Sequence, residues 1–219
     1  MPRAVLTISS RNYSSWSLRG WLLMKLSGLP FEESIVPPDD ASVRAEMLLL
    51  SPSFLVPCLR HEDVTVWDTL AIAEYLNEIR PEAGLLPAAR PARAHCRAIC
   101  GEMHSGFAAL RSALPMNLKH RFPGYKVWTR AQADIDRILE LWGECFARYR
   151  GPFLFGERPT MADAMYAPVV TRLLTYDVPV KSDRATAYCA RIMQLPPMIE
   201  WVEAARLEPD DIEELEVEF

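Results

Sequence analysis

Short apolar runs alternate with longer stretches of helical spacing through the first eighty residues. The apolar runs predict β-strands, and the last two are close enough to form a hairpin. These strands are expected at residues 4–9, 31–37, 56–61 and 63–67. Apolar residues at every third or fourth position predict helices at residues 15–28, 41–50 and 69–79. The resulting order, β-α-β-α-β-β-α, is typical of an α/β domain in which helices cover a mixed sheet.

The second part of the chain shows helical spacing throughout. Helices are expected at residues 92–114, 127–150, 160–176, 183–195 and 196–207. The stretch between the two patterns carries three prolines and a glycine, as linkers often do. We therefore predict an α/β domain (1–80), a linker (81–91) and an all-α domain (92–219), whose acidic end is expected to be solvated.

Composition and charge narrow the classes of function. The chain has 219 residues, half of them hydrophobic, and a formal net charge of −5. This balance gives no general attraction to nucleic acid or to an anionic membrane, so neither partner is expected. No apolar run reaches the roughly 18 residues of a membrane span, and the first run is too short for the core of a secretory signal. We expect a cytoplasmic enzyme or binding protein.

The cysteines favour neither a disulfide framework nor a metal site. There are five, an odd number, and no Cys-x-x-Cys pair occurs among them. Cys96 and Cys100 share one helix face, but no second pair of ligands accompanies them. We expect all five to be reduced and mostly buried, and we expect no bound metal.

Two adjacent serines, Ser14 and Ser15, lie where the first strand is followed by the first helix. A serine in that place can be a simple N-cap, or it can present its hydroxyl to an anion at the positive end of the helix. Four short segments bear on this choice. They are SSWSLR (14–19), SPSFLVPCL (51–59), VWDTLAIAEYL (66–76) and PTMADAMYAPVV (159–170).

With these four segments in this order, the chain resembles the glutathione S-transferase superfamily over essentially its whole length. The first segment is similar to the Ser-Ser-Cys-Ser-x-Arg signature of the zeta, or maleylacetoacetate isomerase, class. The resemblance implies a thioredoxin-like first domain that binds glutathione as co-substrate, and a helical bundle that forms a pocket for a small electrophile. It also implies a homodimer. In the fourth segment Thr160 and Asp163 fit a capping box, to which we assign no chemistry.

The resemblance implies that Ser14 stabilises the glutathione thiolate, assisted by Ser15 and the amides of the turn. Lowering a thiol pKa from about 8.5 by two units requires about 2.7 kcal/mol of preference for the anion. A hydroxyl that donates to a charged acceptor contributes roughly 1.5–3 kcal/mol, and a helix N-terminus roughly 0.3–1 kcal/mol, so the two together suffice. An N-cap without a substrate is the alternative. Tyr13 is the second choice as activator, because other classes of the superfamily use tyrosine.

The resemblance also implies which residues of the first domain bind the rest of glutathione. It implies a cis peptide bond at Val56–Pro57, with this backbone pairing with the cysteinyl unit as an added strand would. It implies that Asp68 binds the γ-glutamyl ammonium. It also implies that Thr69 and the first amides of the helix that begins there bind the γ-glutamyl carboxylate. The alternatives are an ordinary edge-strand proline and ordinary helix capping.

The resemblance implies a second pocket, for the electrophile, formed by the all-helical domain. In this family its wall includes the helix that carries His104 and Arg111, which share one face. The residues expected to line the pocket are Tyr13, Trp16, His104, Arg111 and Met116. Alternatively, a backbone or carboxylate partner satisfies His104, and Arg111 pairs with an acid across a dimer interface.

Some positions depart from the family pattern. Leu55 stands where many members have a lysine or glutamine near the glycyl carboxylate, and Arg11 is the candidate replacement. Trp16 stands at the zeta cysteine, which removes a thiol from the site. An isomerase would need cations for a dicarboxylic substrate, and Arg172, Arg11 and Arg19 are candidates. We therefore predict a transferase, with a glutathione-dependent cis–trans isomerase and a non-catalytic glutathione or hydrophobic-ligand binder as alternatives.

Overall fold

The structure of the protein is a computed structural model that describes residues 4–36 and 56–208. The strands within these ranges are β1 (Ala4–Ile8), β2 (Phe31–Ile35), β3 (Cys58–His61) and β4 (Val64–Trp67). The helices are α1 (Ser15–Ser27), α2 (Thr69–Ile79), α3 (Arg90–Ser105), α4 (Ala108–Ala113), α5 (Thr129–Arg148), α6 (Met161–Thr175), α7 (Asp183–Met193) and α8 (Pro196–Arg206). The helix predicted at 41–50 and the end of the acidic tail lie outside the described residues.

The strands form one mixed sheet in the order β2-β1-β3-β4. β1 runs parallel to β2 and antiparallel to β3, and β3 and β4 form the predicted hairpin. Leu6 at the centre of β1 pairs with Leu59 of β3, and both side chains are fully buried. The predicted mixed α/β domain is confirmed, and the central strand β1 leads directly into the turn that carries the paired serines.

Helix α1 is buried along almost its whole length. It packs against β1 and α2 of the first domain and against α6 and α8 of the helical domain. Its apolar residues lie on all sides of the helix rather than on one stripe, which is typical of a helix enclosed by protein. The helix ends at Gly28, whose φ of 67° gives the left-handed conformation that glycine adopts without a steric penalty. The position of its N-terminus is therefore fixed by both domains.

Helix α6 is the centre of the helical domain, and every residue in it except Leu174 is buried. Its start is the predicted capping box, which is confirmed. The Oδ2 atom of Asp163 accepts hydrogen bonds from the Thr160 amide at 2.7 Å and from the Thr160 hydroxyl at 3.0 Å. The other carboxylate oxygen accepts from the Leu154 amide at 3.1 Å. This buried carboxylate thus ties the preceding loop to the first turn of α6.

The single helix predicted at 92–114 is wrong, because the chain breaks it into α3 and α4. Gly106 follows the end of α3, and a Cβ atom added there would lie 2.7 Å from the Glu102 carbonyl oxygen. Phe107 then takes a left-handed conformation with φ of 58° before α4 begins. The apolar spacing continues across this turn, so periodicity alone did not reveal it. The predicted linker also contains a short 3₁₀ helix, Pro81–Ala83.

Gly20 lets α1 approach the loop before β3. A Cβ atom built at Gly20 would lie 2.5 Å from Cγ and 2.6 Å from Cβ of Pro57, and both distances are shorter than a normal contact between carbon atoms. The absence of a side chain at Gly20 is therefore what allows Pro57 to pack against the helix.

We predict that Gly20→Ala destabilises the protein by about 1–3 kcal/mol, because the added methyl group overpacks the contact with Pro57. The matched control is Gly143→Ala on the exposed side of α5, where an added Cβ meets no atom within 4 Å. That variant should gain up to about 1 kcal/mol from helix propensity. Urea unfolding of both variants measures the difference, and equal stabilities would contradict the packing argument.

Candidate active site

The paired serines lie at the N-terminus of α1, where the sequence predicts them. Ser14 is the N-cap residue and is half-buried, and Ser15 is the first residue of the helix and is buried. The Ser14 Oγ atom accepts a hydrogen bond from the Ser17 amide at 3.3 Å and donates to the Ser17 Oγ atom at 2.9 Å. Ser17 Oγ also accepts from the Ser9 amide at 3.0 Å. The cap is therefore held by Ser9, which follows β1, and by Ser17 in the first turn of α1.

Ser17 is a site residue that the sequence analysis missed. It is fully buried and provides both the amide that fixes the Ser14 oxygen and the hydroxyl that receives the Ser14 proton. A hydroxyl hydrogen rotates to suit its acceptors, so the two oxygens can exchange donor and acceptor roles. If Ser17 donates, the Ser14 proton is available for another acceptor. The signal in the sequence was the position of Ser17, three residues after the N-cap.

The turn that precedes Ser14 is held by the end of the described chain. The Glu208 carboxylate accepts from the Ser10 hydroxyl at 2.7 Å and from the amides of Arg11 and Asn12 at 2.5 and 3.1 Å. The Ser10 carbonyl in turn accepts from the Ser14 amide at 3.0 Å. A carboxylate bound to two backbone amides and a hydroxyl makes strong charge-assisted hydrogen bonds, so the conformation of this turn depends on Glu208.

Arg11 and Tyr13 belong to the same turn. The Arg11 guanidinium forms an ion pair with Glu33 on β2 and lies 5.8 Å from the ring centroid of Trp201. Arg11 is therefore already engaged with an acid, and its suggested role as replacement for the cation absent at Leu55 gains no support; Leu55 itself lies outside the described residues. Tyr13 is half-buried, and its amide donates to the Ser10 hydroxyl at 3.2 Å.

The start of the β3 segment lies beside α1. The Val56–Pro57 peptide bond is cis, as the resemblance implies. Pro57 is buried against Gly20, and Val56 is half-buried. This loop is therefore anchored directly to the helix that carries Ser14.

Asp68 and Thr69 lie at the N-terminus of α2, as predicted. Asp68 is the N-cap, and its Oδ1 atom accepts from the Leu70 amide at 2.8 Å. Its Oδ2 atom lies 2.5 Å from the Nε2 atom of His104, which comes from the helical domain. Thr69 is buried, and its hydroxyl has no hydrogen-bond partner within residues 4–36 and 56–208.

Trp16 connects the serine turn to the helical domain. Its ring is half-buried, with the Arg19 guanidinium 4.4 Å from its centroid and the Arg111 guanidinium 5.7 Å from it. The His104 ring packs edge-on against it, with centroids 5.3 Å apart. Three residues predicted for the electrophile pocket, Trp16, His104 and Arg111, are thus brought together. The same contacts join them to Asp68 through His104.

Arg19 is fully buried inside this arrangement, and sequence analysis did not anticipate its environment. Its Nε atom donates to the Met165 carbonyl at 2.8 Å, and Nη1 donates to the Ser15 carbonyl at 3.3 Å. The Nη2 atom has no partner in the described part of the chain. Burial lowers the pKa of Arg19 well below its usual value, and the positive charges of Arg172 and Arg111 lower it further.

Arg172 and Arg111 complete a group of neighbouring cations. Arg172 is buried and donates to the carbonyls of Leu114 and Pro168, and its burial lowers its pKa to about 10. Arg111 is half-buried and donates to the Gly106 carbonyl. Burial also lowers the pKa of Arg111. Of the three arginines, only Arg111 is partly exposed beside Trp16, so it is the one that a bound anion could reach directly.

Met116 does not line an open pocket in the structure. Its side chain is 2 % exposed and packs into the hydrophobic core. The helical spacing that put His104 and Arg111 on one face did not include Met116, which follows the end of α4.

The cysteines form no disulfide in the structure, and all five of them are buried. Within the described residues, no group of three or more potential metal-ligating side chains comes together. In the same ranges, no helix combines the length and apolar character needed to cross a membrane.

Comparison with known proteins identifies the family of the chain. Residues 13–79 match the family model for the glutathione S-transferase N-terminal domain, and residues 87–204 match that for its C-terminal domain. A maleylacetoacetate isomerase of Rhizobium meliloti (strain 1021) is 32 % identical over 184 residues, which cover 75 % of this chain and 80 % of that protein. The chain belongs to the glutathione S-transferase family.

Two solved structures show the same fold. A glutathione transferase homolog from Burkholderia GL BGR1, with bound glutathione, has a TM-score of 0.69 and 24 % identity, covering 94 % of this chain and 99 % of its own. A maleylacetoacetate isomerase from Anaeromyxobacter dehalogenans 2CP-1 has bound dicarboxyethyl glutathione and citrate in its active site. It has a TM-score of 0.67 and 23 % identity, covering 97 % of this chain and 96 % of its own. The expected architecture, a thioredoxin-like domain followed by a helical domain, is confirmed.

Proposed function

We propose that this protein is a glutathione transferase in which Ser14 stabilises the glutathione thiolate. The observation that carries the proposal is the half-buried Ser14 hydroxyl at the N-terminus of the enclosed helix α1. The positive end of the helix favours an anion there, and the hydroxyl supplies a hydrogen-bond donor. Glutathione is the co-substrate, and the Burkholderia homolog has been solved with bound glutathione.

Only the direction of the hydrogen bond between the Ser14 and Ser17 hydroxyls has to reverse for Ser14 to donate to a thiolate. In the structure the Ser14 hydroxyl donates to Ser17 Oγ, and the Ser17 amide donates to the Ser14 oxygen. A thiolate beside Ser14 would attract that proton, and Ser17 would then donate its own hydroxyl proton to Ser14. The Ser14 oxygen keeps its amide partner throughout, so no buried group loses a hydrogen bond. Ser15 and the first amides of α1 assist through the field of the helix end.

The remaining parts of glutathione would bind along the first domain. Asp68 would receive the γ-glutamyl ammonium. The carboxylate on the same carbon would accept hydrogen bonds from the first-turn amides of α2 that do not donate to Asp68, and from the Thr69 hydroxyl. A buried hydroxyl without a partner costs roughly 1–3 kcal/mol, so a ligand oxygen at Thr69 would be favourable. The Val56–Pro57 backbone would pair with the cysteinyl unit.

The reaction itself would be a nucleophilic attack by the thiolate. With an aryl halide, the sulfur forms a bond to the ring carbon, and the halide leaves with the electron pair of the broken bond. The protein contributes proximity and an electrostatic field that stabilises the anionic sulfur, rather than a covalent intermediate of its own. The electrophile would lie against Trp16, with Tyr13 and Arg111 nearby.

We predict that Ser14→Ala lowers kcat/KM for glutathione conjugation of chlorodinitrobenzene by about 10- to 100-fold, the effect of losing a hydroxyl bond to a charged acceptor. Ser34→Ala, which removes an exposed hydroxyl from β2, is the control and should retain full activity. If wild type binds glutathione in calorimetry but turns over no electrophile, the non-catalytic alternative holds. A fully active Ser14→Ala variant would show that Ser14 is not the activator of the thiol, and Tyr13 would be the next candidate.

A second candidate activity is glutathione-dependent cis–trans isomerisation. Neighbouring arginines favour it: Arg19 and Arg111 lie beside the Trp16 ring, and the charge of Arg172 acts on Arg19, so this region is positive and suits a carboxylated substrate. The related isomerase from Anaeromyxobacter holds dicarboxyethyl glutathione and citrate. In this reaction the thiolate adds to a conjugated double bond, the resulting single bond rotates, and elimination restores the thiolate. No net oxidation or reduction occurs.

Arg111→Gln separates the two activities. The variant keeps an N–H donor for the Gly106 carbonyl but loses the exposed charge, so it should raise KM for a maleylacetoacetate analogue about tenfold. KM for chlorodinitrobenzene, which carries no carboxylate, should stay within about twofold. Arg97→Ala, which removes a surface ion pair with Glu74, is the control and should change neither value. Equal effects of Arg111→Gln on both substrates would contradict a specific role for the charge.

The predicted homodimer and cytoplasmic location belong to the same proposal. Trp67 lies on β4 at the edge of the sheet and is 39 % exposed, and an exposed aromatic on an edge strand is a candidate contact for a second copy. The five buried cysteines, none of which forms a disulfide, fit a reducing compartment.

A further inference from the structure

We infer that His104 is a positioning residue of the glutathione site, which orients Asp68 for the γ-glutamyl ammonium, rather than a wall of the electrophile pocket. The inference deepens the proposed function and rests on it. It assigns the last turn of α3, in the helical domain, to the recognition of glutathione instead of the second substrate.

The geometry of Asp68 carries the first step. Its Oδ1 atom is held by the Leu70 amide of its own helix, and its Oδ2 atom is held by His104 Nε2 at 2.5 Å. These contacts fix both oxygens of the carboxylate. A carboxylate has about four lone-pair sites, so two remain for an incoming ammonium group.

The backbone of Asp68 supplies a second, independent observation. Its φ of 76° is unusual for a residue with a side chain and marks a strained backbone. Strained residues of this kind are found mainly where a ligand must be held, because ordinary helix capping needs no such conformation. The Asp68 side chain is also 36 % exposed, so without His104 only one amide would restrain it against the solvent.

The surroundings of His104 argue against a direct role at the electrophile. Its Nε2 atom is committed to Asp68, and its ring packs edge-on against Trp16. His104 therefore bridges the end of the site that holds Asp68 and the end that holds Ser14 and Trp16. Its imidazole acts through Asp68, so a substitution at His104 should first weaken the binding of the γ-glutamyl amino group of glutathione.

The ligand chemistry at the start of α2 fits an α-amino acid group. Helix amides bind its carboxylate, and the Asp68 carboxylate binds the ammonium on the same carbon. Removal of that amino group from the ligand should abolish the contribution of Asp68, and with it any contribution of His104. This dependence separates a positioning role from a general structural role.

The test compares glutathione with its desamino analogue, in which hydrogen replaces the γ-glutamyl amino group, on the full-length protein. His104→Ala should raise KM for glutathione about tenfold, with kcat and the KM for chlorodinitrobenzene within about twofold of wild type. For the desamino analogue, His104→Ala and wild type should have equal KM values. His104→Gln, which can still donate to Asp68, should recover most of the loss.

The matched control is His95→Ala, because His95 lies on the same helix and also makes a side-chain hydrogen bond, at 3.1 Å to the Tyr149 hydroxyl. It should leave KM for glutathione unchanged. A His104→Ala variant that raises KM for the electrophile, or that weakens both thiols equally, overturns the inference. So does unchanged glutathione binding by that variant while wild type binds normally. A wild-type protein that does not bind glutathione in calorimetry overturns the proposed function as well.

Discussion

The enclosure of α1 between the two domains is the constraint on which the site depends. The helix contacts β1 and α2 on one side and α6 and α8 on the other, so its N-terminus cannot move without disturbing both cores. The buried Arg19 guanidinium strengthens this enclosure, because it donates to the Met165 carbonyl of α6 and the Ser15 carbonyl of α1 itself. A rigid helix end gives a fixed orientation to its amides, which is what allows it to favour an anion at Ser14.

The site is assembled from distant parts of the chain around that helix end. The Glu208 carboxylate shapes the turn before Ser14, and Pro57 packs against α1 at Gly20. His104 brings the helical domain into contact with Asp68 and Trp16. Each of these contacts joins residues far apart in sequence, so the binding surface exists only when both domains are packed together.

Local pattern and motif predicted the elements well, and tertiary contacts account for what they missed. The strands, the capping box at Asp163 and the serine N-cap follow from periodicity and capping chemistry within a few residues. The break at Gly106 was missed because apolar spacing continues across it. The pairing of His104 with Asp68 could not be predicted, since no local rule relates residues 36 positions apart.

The pKa of the thiol of bound glutathione shows directly whether Ser14 stabilises the thiolate. Ultraviolet titration of the thiolate from pH 5 to 9, on wild type and on Ser14→Ala, measures its pKa in each site. We expect the thiol pKa in wild type to lie at least one unit below the ordinary value of about 8.5, and the variant to lose that shift. An unshifted thiol in wild type, or an equal shift in both proteins, would contradict the role assigned to the Ser14 hydroxyl.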